Sequence, residues 1–562
     1  SFSFNQTWTQ QDPFATNPLA GWGLASFLLG TPSGATYTIP PSVAIQWFYV
    51  AGFIQDDWRV NSRLTLNIGL RYDIETPFTE RYNRASFFNP TAPSAATDRF
   101  ASAAGGLQFV SKDISSRYRN SVDTNNLGPR IGLAYKVTNS LVLRAAYGIF
   151  YQPTMVYGYG GNSFGAGSYQ ADTPMITTRD GGLTPARFLS NPFPDGFNTP
   201  TGNALGASSL IGQSLQTQLR DVVVPYSQQY NFGIQHEFRG FLFDAGYVGT
   251  HGIHQIINLP FDQLAPSQYQ LGTQLNQQVT NPFYGLATSG TLANPTVSAG
   301  QLLRPFPQFS DVQNNYFSGG SMTYNSLQTK VEKRFSHGYS ILATYTWSKN
   351  IGNVGERYWS GNSVQNAYNL HAERALSPFD IPHRFTVAYV WDLPFGRGRW
   401  LANSLPGGAN LLVSGWQLNG TFAIASGQPL SISSPSNQLG FGAGTQRPTN
   451  NGQSAKLDDS QRTPARWFDT SVFSVTAPYT FGNTGPYSPD LRGPKTNSWN
   501  ASVFKNTFIG ERMNLEFRAE FYNVFNHPIW AAPGTTVASP TFGIVSQKTN
   551  NRTGQLALKL IF

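Results

Sequence analysis

The chain has 562 residues, and only 12% of them are Asp, Glu, Lys or Arg, about half the share usual in a soluble protein. Aromatics make up 14% and there are 55 Gly and 37 Pro, yet mean hydropathy is −0.29 and the longest apolar runs, such as Leu411-Leu412-Val413, are only a few residues long. Membrane-spanning helices, which need ~18 apolar residues in a row, are excluded, and with 40% hydrophobic residues so is a disordered chain.

The absence of cysteine removes disulfide frameworks, thiolate zinc sites and cysteine nucleophiles together. The net charge of +9 is scattered rather than gathered into runs, so nucleic acid is not expected as a partner. The first residues, Ser1-Phe2-Ser3-Phe4-Asn5-Gln6-Thr7-Trp8, have neither an initiator Met nor a leader pattern and already alternate. The chain is therefore expected to start inside a longer protein.

Period-2 alternation recurs from there to the last residue. Strands are predicted over 47–60, 64–73, 128–136, 141–151, 227–238, 241–249, 324–335, 339–349, 384–392, 413–426, 498–508, 513–523 and 555–562. The total expected is about 14–16. In 63–73 the apolar face is Leu64, Leu66, Ile68, Leu70 and Tyr72, against Arg63, Thr65, Asn67, Gly69, Arg71 and Asp73. In 141–151 Leu141, Leu143, Ala145, Tyr147, Ile149 and Tyr151 oppose Arg144, Ala146 and Gly148. The clearest case is 513–523, where Met513, Leu515, Phe517, Ala519 and Phe521 oppose Asn514, Glu516, Arg518 and Glu520.

Strands of about 9–11 residues suit a tilted crossing of a bilayer. Trp58, Tyr72, Tyr151, Phe335, Tyr339, Trp347 and Trp391 stand near strand ends, where an interfacial girdle places amphipathic rings. Short connections, such as Arg239-Gly240 and Ser336-His337-Gly338, alternate with long polar stretches at about 74–125, 152–225, 250–323, 352–382 and 427–497. Compact soluble domains rarely repeat such loops, whereas outer-membrane barrels put short turns on one side and long loops on the other. The fold class expected is all-β, a transmembrane antiparallel barrel occupying 1–562. The connection Leu393–Leu412 is longer than that rule prefers.

Charges on a lipid-facing surface cost several kcal/mol near the midplane. Arg71, Arg144, Glu516, Arg518 and Glu520 are accordingly expected to face the lumen as a charge network, with a role in lining a solute path as the second reading. At the C-terminus Leu556, Leu558, Leu560 and Phe562 share one face of a strand that alternates to the final aromatic, which resembles the signal read by the outer-membrane assembly machinery.

Catalytic and cofactor motifs are missing. Gly158-Tyr159-Gly160-Gly161 and Gly440-Phe441-Gly442-Ala443-Gly444 lack the Lys of a phosphate-binding loop and read as flexible segments. His236-Glu237-Phe238-Arg239-Gly240 has Gly240 where a zinc protease has its second His. His251 and His254 read as part of a loop with no further metal ligands nominated. Arg397, Arg399 and Trp400 form a basic–aromatic cluster best placed at a barrel rim, ring at the interface and arginines in water. No enzyme activity, metal or cofactor is expected.

Several phrases resemble one family. They are Gly52-Phe53-Ile54-Gln55-Asp56-Asp57-Trp58, followed by Leu64-Thr65-Leu66-Asn67-Ile68-Gly69-Leu70-Arg71-Tyr72; Tyr324-Asn325-Ser326-Leu327-Gln328; Tyr345-Thr346-Trp347-Ser348-Lys349; and Phe517-Arg518-Ala519-Glu520-Phe521-Tyr522-Asn523-Val524-Phe525-Asn526-His527-Pro528. With the Phe562 ending they are similar to the TonB-dependent outer-membrane transporters, in particular the Oar-like branch. The resemblance implies a 22-stranded parent barrel plugged by an N-terminal domain, often preceded by a small carboxypeptidase regulatory-like sandwich domain. It also implies a Gram-negative outer-membrane location and coupling to the TonB complex through an N-terminal segment not visible here. Outer-membrane lipid, lipopolysaccharide and an unidentified solute are the remaining partners. On this reading the chain is the C-terminal, barrel-forming part of an energised importer. A surface adhesion or assembly barrel and a passive porin stay open as alternatives.

Overall fold

In the computed structural model, residues 1–10, 21–153, 167–178, 184–287, 290–354, 364–510, 512–549 and 551–562 are described. Thirteen strands form one antiparallel meander in chain order: β1 (Tyr49–Arg59), β2 (Leu64–Glu75), β3 (Leu127–Lys136), β4 (Leu141–Tyr151), β5 (Tyr226–Phe238), β6 (Phe241–Pro260), β7 (Asp311–Ser336), β8 (Tyr339–Gly352), β9 (His383–Asp392), β10 (Trp416–Ala425), β11 (Thr496–Ile509), β12 (Met513–Tyr522) and β13 (Thr553–Ile561). Two short strands join the same sheet and bring it to 15: Ser214–Thr217 runs parallel to the start of β7, and Ala375–Leu376 pairs with the end of β8. Every predicted strand is present. Among the described residues β1 and β13 each pair on one side only, so the sheet is an open wall.

The wall has the reverse of a water-soluble sheet's polarity. Ile68, Leu70 and Tyr72 of β2 are exposed, while Asp73 and Glu75 beside them are buried. Leu556 and Leu558 of β13 are 72% and 69% exposed. Among the described residues no core covers this apolar face, and a hydrocarbon solvent is what its composition demands. Aromatic residues mark both of its margins. Trp58, Phe335, Tyr339 and Trp391 lie toward the short-turn end, and Tyr72, Tyr151 and Trp347 toward the long-loop end.

Three local expectations need correction. First, β6 and β7 run 20 and 26 residues, well past 249 and before 324, so the two ends of the expected 250–323 loop are sheet and the connection itself shrinks to 261–310. Their upper parts stay paired through register shifts between Gly252 and Leu259, where bulges bend the ladder. His251 and His254 therefore belong to β6, not to a loop; His254 takes a φ of +55° at the irregular stretch. Second, residues 413–415 do not open β10. A helix, Gly407–Val413, fills the long connection from 393, and β10 begins only at Trp416. Third, a long connection at 523–552 joins β12 to β13, which the polar-stretch pattern passed over.

The buried apolar clusters lie at the long-loop end. Phe88, Leu107 and Phe109 pack with Ile211, Leu215, Phe283, Leu292 and Phe309, so one core draws on three successive connections. A second joins Leu430, Ile432, Phe468, Val472 and Leu491 to Val537. A third sets Leu264, Tyr269 and Leu275 against Leu439. Stretches that read as polar and loose thus form a packed roof over one end of the wall.

Candidate functional site

Side-chain alternation and register together carry one polar face across the whole wall. One cross-strand row reads Lys136, Val142, Gln235, Asp244, Lys330, Thr344 and Thr386 from β3 to β9. Another reads Val390, Asn419, Ser502, Glu520 and Gln555 from β9 to β13. On β7, Glu332 pairs with Lys330 at 3.2 Å and with Arg334 at 3.8 Å. A concavity of about 590 Å³ lies on this face, lined by Glu332, Asn419, Asn500, Ser502 and Glu520 among others.

All five charges singled out in the sequence belong to this polar face, but they do not form one network. Arg71 pairs with Asp73 at 2.8 Å, and the Tyr49 hydroxyl donates to the same carboxylate. Arg144, on β4 and two strands from Arg71, has no ion-pair partner among the described residues. Glu516 and Arg518 pair with each other on β12, the guanidinium lying 4.8 Å from the Phe504 ring centroid. Glu520 accepts from the Gln555 side chain of β13. Leu556, Leu558 and Leu560 project from the apolar face of β13, and Phe562 beyond them is 95% exposed.

The roof contains charged residues that sequence reasoning missed. Arg447 clasps the fully buried Glu373 with two bonds of 2.7 and 3.0 Å, tying the β10–β11 connection to the β8–β9 connection. Arg492 reinforces that tie through Asp380 at 2.5 Å. Arg304 lies between two carboxylates, Asp262 at 2.8 Å and Asp311 at 3.2 Å, and also donates to the carbonyls of Asp262 and Ser310. Burial pushes the Asp262 carboxyl up to about 8 against the pull of Arg304 and of the Phe306 amide, and the nearby Asp311 adds a smaller rise. Burial also draws the Arg119 guanidinium, stacked 4.6 Å from the Phe78 ring centroid, down to about 9.

The glycine segment 440–444, expected to be flexible, is wedged into this roof. The Gly440 carbonyl accepts from the Tyr269 hydroxyl at 3.0 Å and the Phe441 carbonyl from the Leu264 amide at 3.0 Å. A Cβ on Gly444 would stand 1.7 Å from the Val364 carbonyl oxygen, so close backbone approach is what demands glycine there. Gly158-Tyr159-Gly160-Gly161 lies outside the described residues. Arg397, Arg399 and Trp400 are in the connection at the short-turn end, with Trp400 85% exposed. No group of three or more His, Asp or Glu suited to a metal occurs among the described residues.

A family profile described as Outer membrane beta barrel domain matches residues 1–555. No curated protein sequence matches the chain. Among solved structures, the outer membrane transporter YddB from Escherichia coli is similar at 12% identity and a TM-score of 0.43, with 92% of this chain and 45% of that one covered. The ferric yersiniabactin uptake receptor FyuA from Yersinia pestis aligns at 10% identity and a TM-score of 0.38, covering 94% and 48%. The ferripyoverdine receptor of Pseudomonas aeruginosa aligns at 9% and 0.37, covering 97% and 41%. The chain spans less than half the length of each of these structures.

Proposed function

This chain belongs to the outer membrane beta barrel domain family, and from that premise we propose that it forms the wall and roof of an energised importer for a large or scarce solute, coupled to the inner membrane through TonB. The observation that carries the reading is the polar face maintained by register over thirteen strands beneath a folded roof. Closed into a barrel, at least that many strands would enclose more space than their own side chains fill. The sequence resemblance to TonB-dependent transporters, which runs from Gly52 to Phe562, supports the same reading.

The test is uptake by cells carrying the full protein, with and without TonB. Loss of uptake on TonB deletion is the expected outcome; undiminished uptake overturns the proposal. The roof's own apolar cores also favour a second reading, in which a shaped outer surface contacts partners directly. Loop deletions that abolish uptake while leaving adhesion intact would count against it.

A further inference from the structure

We propose that a cleft on the apolar side of the wall, at its upper margin, binds the phosphorylated headgroup of a lipid in the surrounding outer leaflet. The cleft has a volume of about 600 Å³ and lies where β6, β7 and β8 pass beneath the β8–β9 and β10–β11 connections. Tyr247, Leu327 and Trp347 supply its strand-side lining, and all three belong to the apolar face. Lys349 and Arg374 supply its free positive charge. This inference rests on the outer-membrane location and not on the transport reading.

Height along the strand places the cleft at headgroup level. The apolar side of β8 reads Tyr339, Ile341, Ala343, Tyr345 and Trp347, and then changes to Lys349. The ten steps from Tyr339 to Lys349, at about 3.3 Å each and a tilt near 45°, rise about 23 Å. That matches the ~25 Å apolar band of an outer-membrane barrel, so the ammonium emerges just above the acyl chains. Trp347 and Tyr247 stand one step lower, where amphipathic rings prefer the interface.

The charge balance of the cleft selects an anion. Its acid, Asp380, is 2% exposed and already bound by Arg492, whose guanidinium also donates to the carbonyls of Asp380 and Gly427. Lys349 has no hydrogen-bond or ion-pair partner among the described residues. Arg374 is exposed, and among the described residues its guanidinium donates only to the Ser321 hydroxyl, at 3.4 Å. Two cations with donors to spare beside an apolar, aromatic wall complement a molecule that is anionic at one end and acylated at the other. A free small anion would leave the apolar lining unused.

The test uses the full protein, extracted from outer membranes and stripped of lipid by detergent exchange. Native mass spectrometry would titrate it with purified lipopolysaccharide, with the same material after enzymatic dephosphorylation, and with inorganic phosphate. Wild-type protein should hold the phosphorylated form at least tenfold more tightly than the dephosphorylated one. Lys349→Gln with Arg374→Gln should abolish that preference, and Lys349→Arg with Arg374→Lys should keep it. Equal retention of both lipid forms by wild type overturns the proposal. So does an unchanged preference in the double glutamine variant, or displacement of the lipid by equimolar inorganic phosphate. Should the glutamine variant fail to fold, the wild-type comparison and the charge-conserving variant still decide.

Discussion

Replacing Glu373 with alanine would remove the buried counter-ion that joins two roof connections. Glu373 is fully buried; its oxygens hold the Arg447 guanidinium at 2.7 and 3.0 Å, and one of them also accepts the Gln365 amide at 3.1 Å. A guanidinium left without its partner in such a place costs about 3–5 kcal/mol. That corresponds to local opening roughly 10²–10⁴ times more frequent. Glu373→Leu combined with Arg447→Met removes both charges and should recover most of the loss, because an apolar pair of similar volume carries no unpaired charge. Hydrogen exchange of amides in 364–376 and 444–450 reads the opening directly, with amides of β12 as the unaffected reference. A single variant whose roof amides open no faster than wild type, or a double variant as damaged as the single, would refute the reasoning.

Three further outcomes are expected. Leu558→Arg, near the middle of β13 on the apolar face, should destabilise the membrane-inserted wall by about 2–4 kcal/mol, read from equilibrium folding into vesicles, whereas Gln555→Arg on the polar face should change little. Gly444→Ala forces a Cβ against the Val364 carbonyl and should open 426–495 to proteolysis, while Gly408→Ala, with nothing within 4 Å, should not. Asp262 holds its proton more tightly folded than unfolded, so its contribution is fully present below about pH 4 and is lost as pH rises through about 8; exchange protection of 261–310 should fall across that window, and Asp262→Asn should flatten the profile.

The wall was legible in the sequence and the roof was not, for a physical reason. Alternation is a local signal, so Met513–Tyr522 declares its two faces within ten residues, and Glu516 and Arg518 meet because they are two apart on one of them. Arg71 and Asp73 pair on the same logic. The roof's cores are built from single apolar residues dispersed through polar chain: Phe88 meets Phe309, and Leu264 meets Leu439, across separations that no window of alternation spans. The members of the Arg447–Glu373 pair stand 74 positions apart. The glycines of 440–444 misled for a related reason, since the backbone that Gly442 and Gly444 approach, at Asp262 and Val364, is remote in sequence.

The open edges carry the last prediction. Register leaves the outer sides of β1 and β13 unpaired among the described residues, and each is a row of amide and carbonyl groups facing no partner. In water such groups are solvated; in hydrocarbon each costs several kcal/mol. Neither edge is blunted along its apolar residues. Phe53 and Ile54 of β1 are both more than 70% exposed, and β13 presents Leu556, Leu558 and Leu560 in a row with Lys559 as its one charge. The charges that do lie on β1, Asp56, Asp57 and Arg59, cluster at its short-turn end and leave the upper half free to pair. The 562-residue chain alone, refolded in detergent, should therefore pair edge to edge and run as dimers or larger species in sedimentation analysis. Introducing Pro at Ala557, which lies inside β13, should weaken that association without touching the roof. A homogeneous, heat-modifiable monomer would show instead that the wall closes on itself, and the edge argument would fall.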